Sequence, residues 1–180
     1  MGFLAERYMK IEICNKKQLK SLTIVHYGHK KYYPNKLKPI ININWVKPHG
    51  GLWCSPIDSE WGWKDWCVSE KFRDCDNKNS FNLKFYDWAK IIIIDSYKDL
   101  ENLPLIDSSF NSKHFKKRYP DFELLSKNYD GIWLTEKGQK ETHLSCFKFL
   151  SGLDLYGWDC ESVFIINPKC CYQFKQYKKK

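Results

Sequence analysis

Arginine is almost missing from this chain: only Arg7, Arg73 and Arg118 occur, so 27 of the 30 cationic side chains are lysine. Long apolar runs are missing as well. None exceeds the four residues of Ile91–Ile94, far short of the roughly 18–20 that span a bilayer, so no membrane association is expected. Residues 1–7 lack a basic stretch followed by an apolar one, which predicts no secretory leader and a cytoplasmic location. The eight cysteines form no C-x-x-C pair and no Cys/His group at zinc-finger spacing. Reduced thiols are therefore expected, several packed as small apolar groups, with no bound metal. A zinc site gathered from distant residues is the alternative. No G-x-x-x-x-G-K-S/T or G-x-G-x-x-G phosphate loop and no G-x-S-x-G elbow is present. Kinase, simple nucleoside-triphosphatase, dinucleotide-fold and serine-hydrolase chemistries fall away with them.

What is present is a chain of one-domain length: 180 residues, 43% hydrophobic, with 8 Trp, 11 Tyr and 11 Phe. That composition excludes intrinsic disorder. The net charge is +9. Lysines spread along the chain form either a solvated shell or an electrostatic footprint for nucleic acid or an acidic protein. Lys, Ile and Asn together suggest an AT-rich genome, as in a phage or a low-GC bacterium.

Periodicity supplies a coarse secondary structure. Ile11 and Ile13 permit a first strand. Ser21–Tyr27 predicts a buried strand ending at Gly28, and residues 29–50, with Pro34, Pro39 and Pro48, read as loop. Gly50–Pro56 predicts a short strand, followed by a helix from Asp58 or Ser59 to Phe72 with Trp63, Trp66, Cys67 and Glu70 on one stripe. Further strands are expected at Phe81–Phe85, Ile91–Ile94, Ile132–Leu134 and Ser162–Ile166. A short helix follows Ser96, and Ser112–Asn128 reads as a helix interrupted at Pro120. The sum is one α+β domain over 1–174, with helices inserted between early strands, and a basic tail over 175–180.

Three segments carry chemistry. In Val25-His26-Tyr27-Gly28 a histidine ends a buried strand, where it is either a structural histidine or a partner for a ribose hydroxyl, and Gly28 lets a ligand meet backbone. Gly50-Gly51-Leu52-Trp53-Cys54-Ser55-Pro56 opens a stretch with four tryptophans in fourteen residues, Trp53, Trp61, Trp63 and Trp66. Some serve the core, and the others suit a wall for a flat heteroaromatic ligand. Glu161 opens the apolar run Ser162–Ile166, as a solvated strand end or as a catalytic carboxylate on a rigid element.

In this order the segments resemble the ADP-ribosyltransferase superfamily, in the His–aromatic–Glu arrangement of its diphtheria-toxin and poly(ADP-ribose)-polymerase branch. The resemblance covers about residues 21–166. It implies two packed, mostly antiparallel sheets with a cleft between them, NAD as substrate and no metal. His26, Tyr27 and Gly28 would hold the nicotinamide side of NAD. Trp53 would stack on its ring, with Ser55 and Trp66 beside it, and Glu161 with His26 would be catalytic. Tyr27 separates His26 from Gly28, Trp53 stands where the family has tyrosine, and Asp159 precedes Glu161 by two positions. The stretches Lys47–Trp53 and Tyr156–Glu161 are also similar to an uncharacterised family of small phage and prophage proteins. That similarity assigns no activity; with the transferase resemblance, the expectation is a phage-encoded effector against a host defence system, acting on a host protein or nucleic acid in the bacterial cytoplasm.

The bond between nicotinamide and ribose breaks through an oxocarbenium-like transition state. Under the resemblance, Glu161 would bond the ribose 2′-hydroxyl and face that cation, or deprotonate the acceptor. Water as acceptor would make the chain an NAD glycohydrolase. The alternative from another class is a non-catalytic nucleotide- or nucleic-acid-binding protein, acting as a sensor or a stoichiometric inhibitor. The charge, the tryptophans and the lysine tail fit it equally.

Overall fold

The structure, a computed structural model, describes residues 10–43, 47–108, 117–145 and 152–174. The basic tail over 175–180 and the first part of the helix expected after Ser112 lie outside the described residues.

Seven strands form one sheet: β1 (Thr23–Tyr27), β2 (Leu52–Pro56), β3 (Ser80–Phe85), β4 (Ile91–Ile94), β7 (Gly131–Leu134), β8 (Ser162–Ile165) and β9 (Cys171–Phe174). Their order is β4-β7-β8-β2-β1-β3-β9, and only β4–β7 is parallel. Two further strands, β5 (Leu105–Asp107) and β6 (Arg118–Pro120), make a separate antiparallel ribbon. The expected pair of packed sheets is thus corrected to one curled sheet and a small ribbon. The curl follows from packing. Ile91 and Ile93 at one edge belong to the same buried cluster as Phe81, Leu83 and Cys171 at the other, with Ile24, Leu52, Cys54, Val163 and Ile165 between them. The opposite face of β4, β7 and β8 is covered by α3 (Tyr97–Glu101), by α4 (Phe122–Leu125) and by Leu153, Leu155 and Trp158. With both faces covered, all four isoleucines of β4 are buried, whereas β3 alternates and turns Asn82 and Lys84 outward.

Several elements depart from their sequence reading. The lysine cluster after Asn15 forms α1 (Lys16–Ser21), because Asn15 and Gln18 make a reciprocal capping box and Leu19 reaches the core. The tryptophan helix, α2 (Trp63–Ser69), starts later than Asp58, because Asp65 accepts from Gly62 N at 3.0 Å and sets the N-terminus there. Where an interrupted helix was expected, Arg118–Pro120 is strand β6, and α4 begins only after Asp121 caps it through Leu124 N. Pro120 is tolerated because a two-stranded ribbon has only edge strands. Ile13 makes a single bridge to Ile92 in place of a full strand. A last helix, α5 (Glu136–Thr142), follows Thr135.

One feature of the sheet positions the site. β1 pairs with β3 along all of its five residues, but with β2 only through Ile24↔Pro56 and Val25↔Ser55. β2 meanwhile stays paired with β8 through Leu52, Trp53 and Cys54. Beyond Val25 the two strands diverge, and the sheet opens at the level of His26 and Trp53.

Candidate functional site

A cavity of about 400 Å³ occupies this opening. Val25, His26 and Tyr27 line it from β1, and Gly51 to Ser55 line it from β2. Trp63 of α2, Arg73, Lys47 and the turn Gly157–Cys160 complete it, with Ser162 at the start of β8. Strands β8, β2 and β1 are consecutive in the sheet. The three segments singled out by sequence therefore meet, although His26 and Glu161 are 135 positions apart (161 − 26).

His26 bridges the divergence. Its Nδ1 lies 2.8 Å from the carbonyl oxygen of Trp53. A carbonyl can only accept, so Nδ1 carries the proton and Nε2 is left as an acceptor. Burial pushes the His26 pKa below its ordinary value. The Trp53 carbonyl opposes that shift, and the charges of His29 and Arg73 add to it. The imidazole is therefore neutral near pH 7. Gly28 does not line the cavity. It adopts φ +121° and donates its N–H to Asn79 O at 2.7 Å, which turns the chain away from β1.

Trp53 forms one wall. Its ring meets Trp158 edge-on at 4.5 Å between centres and Phe164 at 4.6 Å, so it is anchored in the second core cluster. Lys47 Nζ stands 5.6 Å from the Trp53 ring centre and 3.8 Å from Asp159 Oδ2. Trp63 carries a second cation, with the Arg73 guanidinium 5.5 Å from its ring centre. Trp66 does not line the cavity; it stacks behind Trp63 at 4.9 Å. Ser55 is buried and acts as a brace: its Oγ donates to Glu161 O at 3.1 Å and accepts from Trp63 N at 2.9 Å. One hydroxyl thus ties β2 to the start of β8 and to α2. Cys160 also lines the cavity, but burial pushes its thiol up to about 11, so it is not a nucleophile near neutral pH.

Glu161 lies between two lining residues without lining the cavity itself. Extending the alternation of β8, it falls on the side of Val163, and His26 falls on the side of Ile24; both sides are the same core face. The two residues expected to act together share one face, whereas Trp53 and Ser55 point to the other. Glu161 is 8% exposed, and its carboxylate accepts from Trp133 Nε1 at 2.8 Å. Ser59 Oγ is buried, meets no hydrogen-bond partner in good geometry, and is near enough to favour ionised Glu161. Burial nevertheless dominates and raises the Glu161 pKa above the usual carboxylate range.

This has a consequence for stability. Between its unfolded value and its raised folded value, Glu161 holds a proton in the folded chain that the unfolded chain has released. Folding stability therefore falls as pH rises from about 4.5 through the folded pKa. Glu161→Gln keeps an acceptor for Trp133 and removes this loss. Its Tm should equal that of the parent near pH 4 and lie above it near pH 8. Thermal melts at the two pH values check this.

Neither cation is marked as a site residue by a sequence motif. Arg73 had one available signal, its rarity among the cations, while Lys47 is one lysine among many and becomes distinctive only beside Trp53. Among the described residues no group of three or more His, Cys, Asp or Glu side chains could hold a metal ion. No helix among them is long and apolar enough to cross a membrane. Comparison of the chain with protein-family models, with curated proteins and with solved structures gives no match.

Proposed function

We propose that the chain is an ADP-ribosyltransferase that takes NAD in the cavity between β1 and β2. One observation carries this reading: a strand-end histidine, a glycine-led tryptophan strand and a strand led by glutamate are adjacent in the sheet and surround one cavity. The cavity's chemistry suits a dinucleotide. Lys47 and Arg73, which stand over the Trp53 and Trp63 rings, would turn to the pyrophosphate, and nicotinamide or adenine would take their place against Trp53. Neutral His26 accepts a ribose hydroxyl through Nε2. Glu161, released from Trp133, bonds the 2′-hydroxyl and stabilises the oxocarbenium. The acceptor is a protein or nucleic-acid target, or water.

A second reading is favoured by one specific observation. Glu161 is held by Trp133 and does not line the cavity. A nucleotide-binding protein without chemistry would keep that arrangement. The transferase reading requires NAD to bind against Trp53. Calorimetric titration of Trp53→Ala with NAD should show affinity weakened by about 5- to 150-fold, for a stack worth roughly 1–3 kcal/mol. Unchanged affinity would remove NAD from this cavity and with it the transferase reading.

A further inference from the structure

We propose that a second surface, built on Tyr86, Trp88 and Tyr172, binds single-stranded nucleic acid. The three rings are exposed, at 43%, 53% and 38%, and contiguous. Tyr172 lies 4.9 Å from Tyr86, and Tyr86 lies 5.7 Å from Trp88 with the two planes parallel within 7°. The core gains little from them; what they offer is a row of π-faces at the outer end of β3 and β9. Lysines adjoin the row. Lys84 is the cross-strand partner of Tyr172, and a shallow depression of about 350 Å³ beside Trp88 is lined by Lys90, Lys127 and Asn128. None of these three lysines makes an ion pair among the described residues.

The carboxylates nearby are already engaged. Asp87 pairs with Lys16 at 3.6 Å, and Asp130 accepts from Lys90 N at 2.8 Å and from Asn167 Nδ2 at 2.7 Å. Asp130 lines the depression beside Lys90 and Lys127, so the surface combines three lysines without an ion pair among the described residues, one carboxylate and stacking faces, a positive balance that suits an anionic strand with unpaired bases. A duplex hides its base faces, and an uncharged proline-rich peptide or glycan would have no use for the lysines. No residue of this surface lines the cavity between β1 and β2, so the proposal does not depend on NAD chemistry.

The test is fluorescence anisotropy of the intact chain with a labelled oligothymidylate of about 12 nucleotides, within the site sizes such surfaces take. A duplex of equal length serves as comparison. The single strand is expected to bind more tightly than the duplex and to quench tryptophan emission. Tyr86→Ala with Trp88→Ala should weaken it by about 5- to 150-fold for each base that no longer stacks. Lys90→Gln with Lys127→Gln should lower the slope of log affinity on log salt by about 0.7 for each phosphate no longer neutralised. If the aromatic variant does not fold, the lysine variant decides alone. Absent binding, equal or tighter binding of the duplex, or a proline-rich peptide or glycan held in place of the strand would overturn the proposal. So would single-strand affinity and salt slope that both variants leave unchanged.

Discussion

Glu161→Gln is expected to slow nicotinamide release from NAD by about two to four orders of magnitude, roughly 3–5 kcal/mol of transition-state stabilisation. Glutamine preserves the shape of the side chain and an acceptor for Trp133 Nε1, which the parent holds at 2.8 Å. Under the proposed transferase reading, what it removes is the negative charge opposite the developing oxocarbenium. NAD affinity should change far less than turnover, because a ground-state hydroxyl bond survives in the amide. The stability of the variant runs the other way. A buried carboxylate with a raised pKa costs folding free energy when it ionises, so the variant should be as stable as the parent or more so above about pH 5. Lost turnover with undiminished stability separates a catalytic carboxylate from a structural one. A parallel loss of both would instead mean that Glu161 serves only to hold Trp133.

Gly51→Ala should be the most destabilising small substitution at the site. Gly51 adopts φ +63°, where a side chain costs roughly 1–2 kcal/mol. A Cβ there would also stand 2.5 Å from the Phe164 ring and 2.7 Å from Ile165 O. Overpacking of this kind typically costs about 1–3 kcal/mol more. The lost stability, roughly 2–5 kcal/mol, corresponds to a Tm lower by about 5–15 °C, measurable by calorimetry. Phe164 is the cross-strand partner of Trp53, so the strain passes directly into the cavity wall. NAD binding should weaken even at temperatures where the variant is folded. A Tm within about 2 °C of the parent would mean that the close approach of β2 and β8 relaxes easily.

Much of the fold was legible where the signal is local. Phe81, Leu83 and Phe85 alternate because one face of β3 is buried, and four consecutive isoleucines mark a strand covered on both faces. Ser96 and Asp121 both cap helices, as their hydroxyl and carboxylate suggest. What escaped was set by distant partners. The helix after Asn15 owes its place to Leu19 docking on the core, which lysines on either side conceal. Strand β6 replaces helix because it pairs with β5, eleven or more positions away in the chain. The opening of the sheet depends on β1 and β2 sharing only two residue pairs, and nothing in either strand's own sequence states where pairing stops.

The same division holds for the site. His26, Tyr27, Trp53 and Ser55 do line one cavity, because β1 and β2 are neighbours in the sheet and β2 also pairs with β8. Trp66 and Gly28 stand behind it: helical spacing cannot tell which of two stacked tryptophans faces a ligand, and a glycine after a strand serves a turn as readily as a ligand. Glu161 shows the sharpest limit. Its place at the head of β8 was readable, but its direction was not, since that is decided by Trp133 on the neighbouring strand β7.

Incubation of the purified chain with NAD, followed by chromatographic separation of free nicotinamide, is the most direct measurement. The expected result is nicotinamide released in step with ADP-ribose, free or attached to an acceptor, and its near-complete loss in Glu161→Gln. Recovery of all the NAD intact, bound or unbound, after prolonged incubation with cell extract as the source of acceptor would contradict the transferase reading.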